Sequence, residues 1–513
     1  MIVEIHNRYL LVKIEWSGKG EKMIRKIALN NYKCFSENRE IDLAPLTILC
    51  GTNSSGKSSI LKSILMMKQT VESKSPDPAI VLAGQLVDNG TFDDVVFSDS
   101  NGKRDLFIVE HDFEVHNHTI KKLGKFIKRQ DAKAFNELRR VYSSVGGEIE
   151  KFILRLKIVT CKQENDNEFS QYITDNYIKE YSISVSAFTT DGEQIPECDS
   201  YIKYENKDKG DSHSLSWENV PGFSKAANSW SEYSCTCSFN GLVITSVFAY
   251  NMPNSVKSII PNILTIVRIT FAQYEGVNFI APLRHTPERT YLIKGNVNSV
   301  GVSGENTPTL LAKIKDKKFA NDFSFIENFP KVHENSYFEV IQYWLTYFEM
   351  GKLSVSGKNG AISIALDEHN ISDIGFGVSQ VLPIITQGIY MNKEETLIIE
   401  QPEIHLHPKM ELDMADYLLE LVKSERNLIV ETHSDHIINR IIHRVMENYE
   451  ELNTLVKIYF VENTTEGAVI YPQIEIDKFK GTKNIYKNFF TQYTAESKDI
   501  VNTGLENMLR SIQ

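Results

Sequence analysis

Cysteine is scarce in this sequence, with six scattered residues in a chain of 513. So few cysteines over such a length exclude a small fold held together by disulfide bonds. Cys235 and Cys237 form a Cys-x-Cys pair, but no second pair follows at the spacing of a zinc site. We therefore expect free thiols and no structural zinc.

Long apolar segments are also missing. A membrane helix needs about 18 uninterrupted apolar residues, and the most apolar segment, 258–271, is interrupted by Pro261 and Arg268. The N-terminus has no apolar core followed by a small-residue cleavage site. These absences predict a cytoplasmic protein with no membrane contact.

Positive charge is in deficit, since the formal net charge is −11. An acidic chain does not attract nucleic acid over its whole surface, so any such contact must be a local basic patch. The densest patch, 121–140, has eight basic and two acidic residues. This patch has two interpretations. It is a surface that binds DNA or another partner, or it is a helix face exposed to solvent.

Residues 1–22 differ in kind from the rest of the chain. Residues 18–22, Gly-Lys-Gly-Glu-Lys, can only be encoded by a purine-rich stretch, and they directly precede Met23. This resembles a translated ribosome-binding region. Two alternatives stay open: Met23 is the natural start and 1–22 is an extra extension, or 1–22 contains a short N-terminal strand.

The most specific motif is Gly-x4-Gly-Lys-Ser at residues 51–58, the phosphate-binding loop pattern. An apolar run precedes it (46–50) and a helix-like segment follows (59–70), so we predict a strand, a loop and a helix. Such a loop aims backbone N–H groups at phosphate oxygens. We predict that it binds ATP or GTP, with Lys57 on the β- and γ-phosphates and Ser58 on Mg²⁺. The predicted nucleotide-binding residues here are Asn53, Ser55, Gly56, Lys57, Ser58 and Ser59.

Two short alternating strands, 24–35 and 39–43, precede this loop. A hairpin followed by a phosphate loop resembles the head domain of the SMC, RecF and OLD group of ABC-type ATPases, placed in the wider AAA family. The resemblance covers roughly 23–100 and 275–490. It implies an α/β fold, an ABC/SMC-like ATPase head with a mixed central sheet, a β-rich side lobe and a mixed insertion. The implied domains are an N-terminal ATPase lobe at 23–110, an insertion at 111–274 and a C-terminal ATPase lobe at 275–513.

The insertion is the least informative part of the chain. Apolar spacing over 118–157 predicts a helical hairpin, and the polar, turn-rich composition of 161–238 predicts irregular β-structure with mobile loops. Just before the insertion, the resemblance implies that Gln85 is the Q-loop glutamine that binds Mg²⁺ and water. Gln69 competes for that role.

The segment 371–385 resembles an ABC signature loop that opens a helix, with Pro383 in its first turn. In ABC heads this loop grips the γ-phosphate bound to another subunit, so the resemblance implies a dimer or higher oligomer. Gly377, Ser379 and Gln380 are the candidates for this contact. A simple helix N-cap by Ser379 is the alternative.

An apolar strand ending in acids follows at 395–400 and resembles the Walker B element. The resemblance implies that Glu400 holds Mg²⁺ and that His433 contacts the γ-phosphate. Gln401 stands where the group keeps the glutamate that polarises the attacking water. Because glutamine orients water but cannot take its proton, either hydrolysis is slow or Glu403 or a histidine substitutes.

Two further motifs have open roles. Arg284 and Arg289 contact a partner subunit or nucleotide, or they are structural and pair with Glu288 or Glu305. The His-x-His motif at 405–407 has metal-ligand spacing but no further ligand cluster, and the resemblance places it in the D-loop at the dimer interface.

Only 80 residues follow His433. OLD-type relatives carry a TOPRIM nuclease there, whereas the acids of this tail, Glu462, Glu475 and Asp477, lie too close together for that fold. We therefore expect no nuclease activity in this chain. The sequence is similar to the ATPase subunit of Septu-type phage-defence systems, which works with a separate HNH nuclease. The resulting hypothesis is a slow ATPase that oligomerises around ATP and regulates such a nuclease; the alternative is a RecF-like ATPase that binds DNA in repair.

Overall fold

The computed structural model describes most of the chain between residues 22 and 484. The described ranges are 22–99, 102–116, 149–163, 175–207, 213–220, 231–249, 252–253, 257, 259–293, 295–319, 335–358, 360–393, 395–465, 467–479 and 481–484. Residues 1–21 of the proposed extension 1–22, the basic patch at 121–140 and the final residues after 484 lie outside them.

The strands are β1 (Lys22–Asn30), β2 (Arg39–Asp42), β3 (Leu46–Gly51), β4 (Ser98–Asp99), β5 (Gly102–Lys103), β6 (Leu106–His116), β7 (Ile149–Lys162), β8 (Asn176–Thr189), β9 (Gln194–Asn206), β10 (His213–Glu218), β11 (Ser231–Asn240), β12 (Val243–Phe248), β13 (Val277–Ile280), β14 (Tyr291–Leu292), β15 (Lys318–Phe319), β16 (Asn335–Ser336), β17 (Leu353–Lys358), β18 (Ala361–Leu366), β19 (His369–Asn370), β20 (Thr396–Glu400), β21 (Asn427–Glu431), β22 (Val456–Thr464), β23 (Gly467–Ile470), β24 (Ile476–Asp477) and β25 (Gly481–Thr482). The α-helices are α1 (Lys57–Glu72), α2 (Phe92–Val95), α3 (Ile260–Ala272), α4 (Thr307–Ile314), α5 (Tyr337–Tyr347), α6 (Gly377–Tyr390), α7 (Pro408–Lys423), α8 (Asp435–Glu447) and α9 (Tyr449–Leu452). Short 3₁₀ turns cover Gln273–Gly276 and Ile371–Asp373.

The central sheet has six strands in the order β13-β20-β21-β3-β22-β23. The first five run parallel and β23 is antiparallel, so the sheet is mixed. Every residue of β20 and β21 is buried, as expected for parallel strands covered on both faces. Alternate side chains therefore enter different cores: Ile48 packs among α6, α7 and α8, whereas Leu49 packs beside α1.

A second sheet of nine antiparallel strands, in the order β12-β11-β10-β9-β8-β7-β6-β1-β2, forms the β-rich side lobe. Helix α1 packs against this lobe, with Ile60, Leu61, Ile64 and Leu65 fully buried. The predicted α/β class, with a mixed central sheet and a β-rich side lobe, is confirmed. The predicted strand, loop and helix around residues 46–70 and the strand pair before them are present as well.

Two predictions about the insertion are wrong where the structure describes it. Residues 149–157, expected in a helical hairpin, belong to the 14-residue strand β7. Phe152, Leu154 and Leu156 are buried in alternation, which is the period of a strand, so the helical spacing was incidental. In 161–238 the predicted β-structure is present, but the expected irregularity is wrong, because the stretch contributes strands β8 to β11 of the nine-stranded sheet.

The position of Pro383 also differs from the prediction. Helix α6 begins at Gly377, so Pro383 lies inside the helix and supplies no N–H to the preceding turn. Gly304 packs against this ring: its φ is +77°, and a Cβ there would approach Pro383 Cγ to 2.6 Å. Judged by length and hydropathy, no helix in the described part of the chain could span a bilayer.

Candidate nucleotide-binding site

The carboxyl ends of three neighbouring parallel strands meet at one edge of the central sheet. Glu400 ends β20 and is paired in register with Glu431, which ends β21 and is itself paired with Leu49 of β3. The loop that follows β3 begins at Gly51. Open parallel sheets bind ligands at this edge, and here it carries the phosphate loop and two carboxylates.

The phosphate loop depends on two glycines with positive φ. Gly51 has a φ of +140°, and a Cβ there would lie 1.9 Å from the carbonyl oxygen of Val461. Gly56 has a φ of +102°, and a Cβ there would lie 2.5 Å from Cys34 Sγ. No side chain caps the first turn of α1, so the positive end of this helix is available to an anion.

Lys57 is buried within the loop. Its Nζ donates to the carbonyl oxygens of Gly51 at 3.1 Å and Thr52 at 2.6 Å, and it lies 3.4 Å from Ser55 Oγ. Burial lowers the pKa of Lys57, while the nearby charge of Glu431 acts in the opposite direction. The carbonyl contacts hold the ammonium group in the cradle where the motif predicts phosphate.

A cavity of about 600 Å³ opens above the loop. Its lining contains eight of the predicted site residues, from the loop, the end of β20 and the turn after β21. The lining residues are Lys33, Cys34, Asn53, Ser54, Ser55, Gly56, Lys57, Ser58, Ser59, Asp93, Asp94, Val96, Ser98, Gln401, Glu431 and His433. Sequence reasoning missed the contributions of the turn after β1 and of the segment around α2, which carry no motif of their own.

Two buried carboxylates lie at this edge of the sheet: Glu431 lines the cavity, whereas Glu400, its paired neighbour on β20, does not. Ser58 Oγ donates to Glu431 Oε1 at 3.0 Å, whereas Glu431 Oε2 and Glu400 Oε1 have no hydrogen-bond partner. Burial, reinforced by the charge of Glu431, raises the pKa of Glu400 to about 7, and burial also raises the pKa of Glu431. Buried carboxylate oxygens without donors are the arrangement that a hard divalent cation satisfies, so these residues fit Mg²⁺.

Glu431 was not among the predicted site residues. The signal that could have found it is its place at the end of an apolar strand directly before Thr432 and His433, which matches the place of Glu400 on β20.

Glu403 has both carboxylate oxygens engaged. Oε2 accepts from Thr432 Oγ1 at 2.9 Å and Oε1 accepts from the backbone N–H of His433 at 2.7 Å. The carboxylate thus fixes the turn that presents the exposed His433 side chain to the cavity. Gln401 adopts a φ of +46° and donates its N–H to the carbonyl oxygen of Glu431 at 2.7 Å.

Arg284 is a buried structural arginine whose partners differ from those predicted. It donates to the carbonyl oxygens of Glu400 at 2.8 Å and Gln401 at 3.0 Å, and it lies 3.4 Å from Gln380 Oε1. It thereby ties the end of β20 to the first turn of α6. The predicted pairing with Glu288 or Glu305 is wrong for both arginines, since Arg289 pairs with Asp373.

The signature residues Gly377, Ser379 and Gln380 do not line the cavity of their own chain. They open α6, where Ser379 Oγ donates to the carbonyl oxygen of Phe376 at 2.7 Å and Gln380 Nε2 lies 3.3 Å from Ser379 Oγ. The alternative that Ser379 is the N-cap is wrong, because the helix begins two residues earlier. The phosphate contact of these residues stays a prediction.

Gln85 is exposed and is not brought to the cavity, so its contact with Mg²⁺ stays a prediction. Its competitor Gln69 has a structural role. The Gln69 amide donates to the carbonyl oxygens of Val81 at 2.7 Å and Val87 at 3.1 Å and accepts from the Val87 N–H at 3.1 Å.

The His-x-His motif has no metal-binding partners in the described ranges, where no group of three or more His, Cys, Asp or Glu side chains could hold a metal ion. His407 instead caps α7 by accepting from the N–H of Lys409 at 3.3 Å. A cation in the cavity would therefore need ligands from the nucleotide as well as from the protein.

Solved structures similar to this chain include three SMC heads. The SMC head domain from Thermotoga maritima is 11% identical, with 88% of this chain and 98% of that chain covered and a TM-score of 0.35. An Smc head bound to the C-winged helix domain of ScpA is 14% identical, with coverages of 89% and 98% and a TM-score of 0.38. An Smc head with an extended coiled coil, bound to the C-terminal domain of ScpA from Pyrococcus furiosus, is 12% identical, with coverages of 89% and 97% and a TM-score of 0.40. A search of curated protein sequences found no match.

A family model described as an AAA ATPase domain matches residues 23–259 and 301–438. The matched ranges span well over half of the chain and include the phosphate loop, the ends of β20 and β21, and the turn that carries His433. The motifs, the parallel sheet edge and the cavity between them thus fall inside the matched region. The chain belongs to the AAA ATPase domain family.

Proposed function

We propose that this ATPase binds ATP with Mg²⁺ in the cavity at the ends of β3, β20 and β21 and hydrolyses it slowly. The observation that carries the proposal is that Lys57, Ser58 and the buried Glu431 carboxylate line one cavity, with the buried Glu400 carboxylate paired beside Glu431. These groups come from segments more than 300 residues apart in the chain, and Ser58 is hydrogen-bonded directly to Glu431. A phosphate cradle beside hard oxygen ligands is the arrangement used for Mg-nucleotides.

Each residue has a definite task in this proposal. The loop N–H groups and Lys57 bind the phosphates, and Ser58 and Glu400 would hold the metal ion. When bound, Mg²⁺ neutralises charge on the transferring phosphoryl group. His433 lies on the turn fixed by Glu403 and lines the same cavity, and we assign it to the terminal phosphate.

Slow turnover follows from the groups available to activate water. Gln401 lines the cavity and can orient a water molecule, but an amide cannot accept its proton. Glu403 is a poor substitute because it does not line the cavity and its carboxylate is held on the turn by Thr432 Oγ1 and the His433 N–H. We therefore propose orientation without an efficient general base.

We further propose that two or more copies assemble around ATP. The signature residues lie off the cavity of their own chain, and the loop that carries them exposes Phe376, whose exposed fraction is 58%. A second copy that presents this loop to the bound nucleotide would complete the site. The test is the mass of the protein in solution with and without Mg²⁺ and a non-hydrolysable ATP analogue, and a monomer under both conditions contradicts the proposal.

The biological proposal is that the assembled ATPase regulates a separate HNH-type nuclease in phage defence, in the cytoplasm. It rests on the resemblance to Septu-type ATPase subunits. The test is to purify the chain with a nuclease encoded in the same locus and to compare DNA cleavage with ATP, with ADP and without nucleotide. A partner that does not bind, or whose activity ignores ATP, contradicts the proposal.

The alternative is a RecF-like ATPase that binds DNA in repair. Its motivation is the basic patch at 121–140, which lies outside the described residues. Steady-state and single-turnover hydrolysis, measured with and without duplex DNA, separates the two functions. Slow turnover that ignores DNA favours the nuclease regulator, and fast, DNA-stimulated turnover favours the repair ATPase.

A further inference from the structure

We infer that Glu431 is a second carboxylate ligand of the divalent cation, acting beside Glu400. This inference rests on the proposed Mg-nucleotide site and assigns a binding role to a residue outside the phosphate-loop and Walker B motifs. Glu431 and Glu400 occupy paired positions on neighbouring parallel strands, which lie about 4.8 Å apart. Paired positions project to the same face of a sheet, so the two carboxylates share one small volume at its edge.

Both side chains are desolvated. The exposed fraction is 4% for Glu431 and 8% for Glu400. In the described part of the chain, neither has an ion-pair partner, and each retains one buried oxygen without a donor, Oε2 of Glu431 and Oε1 of Glu400. Two buried, unpaired carboxylates side by side are strongly unfavourable unless a cation or a proton lies between them.

The contact with Ser58 points to a cation. Ser58 Oγ donates its hydrogen to Glu431 Oε1 at 3.0 Å. A hydroxyl group that donates its hydrogen to a carboxylate keeps the lone pairs of its own oxygen free to bind a metal ion. Ser58, Glu400 and Glu431 therefore present three oxygen ligands, and Mg²⁺ commonly combines one or two carboxylates with phosphate oxygens and water.

Two comparisons within the site support the choice of Glu431. Glu403 is a half-buried acid at the same edge, but both of its oxygens have a donor, Thr432 Oγ1 and the His433 N–H. Position 401 is a neutral glutamine, and its N–H donates to the carbonyl oxygen of Glu431 at 2.7 Å. The site therefore has one available carboxylate from β20, Glu400, and one from β21, Glu431. Gln401, the residue after Glu400, adds no charge.

The test measures metal and nucleotide binding rather than turnover. Mn²⁺ serves as a spectroscopic substitute for Mg²⁺, and its affinity for the full-length protein with ATP is followed by electron paramagnetic resonance of free Mn²⁺. ATP affinity is measured separately in EDTA and in excess Mg²⁺. The variants are Glu431→Gln, which keeps the shape and removes the charge, and Glu431→Asp, which keeps the charge on a shorter side chain.

The matched control is Glu420→Gln. Glu420 is a partly buried glutamate on α7 that also has an oxygen without a hydrogen-bond partner. It differs from Glu431 in its ion pair with Lys423, and it does not line the cavity. The Glu420→Gln variant shows how much the Mn²⁺ affinity changes when a partly buried glutamate away from the cavity is neutralised. Circular dichroism and thermal unfolding of each variant establish that it is folded.

We expect Glu431→Gln to weaken Mn²⁺ binding on the order of tenfold or more, since even the supporting residues of metal sites contribute 10–100-fold. Its ATP affinity in EDTA should be unchanged or higher, because a negative charge near the phosphates is removed. Glu431→Asp should be intermediate, and Glu420→Gln should match the wild type. Wild-type Mn²⁺ affinity in Glu431→Gln overturns the inference, as does an equal loss in Glu420→Gln. Failure of the wild-type protein to bind ATP at all overturns the proposed function instead.

Discussion

Replacing Glu400 by glutamine should stabilise the protein at neutral pH when metal and nucleotide are withheld. The Glu400 carboxylate is buried beside Glu431, and these two effects raise its pKa from the usual 4.5 to about 7. A raised pKa means that the folded state holds the proton more tightly than the unfolded chain does. The resulting stabilisation is complete below about pH 4.5 and is lost as the pH rises through about 7.

The size of the effect follows from the same shift. One pKa unit corresponds to about 1.4 kcal/mol, so a rise from 4.5 to about 7 is worth about 3 kcal/mol of unfolding free energy. The wild type and Glu400→Gln should therefore be equally stable near pH 4.5. Above pH 7 the variant should be more stable by up to about 3 kcal/mol, because its neutral amide has no charge to desolvate.

Thermal and denaturant unfolding in EDTA, from pH 4.5 to 8, measures this difference directly. Glu450→Gln is the control, since the Glu450 side chain is 86% exposed and its neutralisation should leave the pH profile parallel to that of the wild type. Parallel profiles for Glu400→Gln and the wild type would refute the reasoning, because they would mean that Glu400 is not desolvated in the folded protein.

Three further variants test the rest of the site. Lys57→Ala should abolish binding of a fluorescent ATP analogue, and retained affinity would contradict the placement of the phosphates. Gln401→Glu should raise single-turnover hydrolysis on the order of tenfold or more by supplying a general base; an unchanged rate would show that another group already activates the water. Arg284→Ala removes the guanidinium donor from the carbonyl oxygens of Glu400 and Gln401 and should cost roughly 1–3 kcal/mol in denaturant unfolding. Arg289→Ala, at an exposed ion pair, should cost less than about 1 kcal/mol.

The parts of the site that could be predicted from the sequence are local in the chain. The phosphate loop needs glycines and a lysine at fixed spacing between a strand and a helix, and all of these lie within residues 46–72. The strands β20 and β21 are short apolar runs bounded by polar residues. The order of the motifs along the chain therefore indicated the ATPase head and its mixed sheet.

The parts that could not be predicted depend on distant segments coming together. Lys33 and Asp93 line the cavity but carry no motif, and the bond between Ser58 and Glu431 spans 373 positions. Arg284 finds its partners on β20 rather than among neighbouring acids. In β7, the apolar residues allowed both a helical and a strand period, and pairing with β6 and β8 decided between them.

The carboxylate pair is also where the sequence departs from the rule that buried charges are paired. The other buried acids in the described part of the chain, Asp112, Glu114 and Asp416, each pair with an arginine, so Glu400 and Glu431 are a local weakness. Its unfavourable energy, about 3 kcal/mol for Glu400 from the pKa shift, is of the size that a bound ligand can offset. A ligand at 100 times its dissociation constant stabilises a protein by about 2.7 kcal/mol. We therefore expect the stability of this edge of the sheet to depend on Mg-nucleotide more than that of any other described part of the molecule. When the ligand is lost, β20, β21 and the turn that carries His433 should unfold locally before the rest.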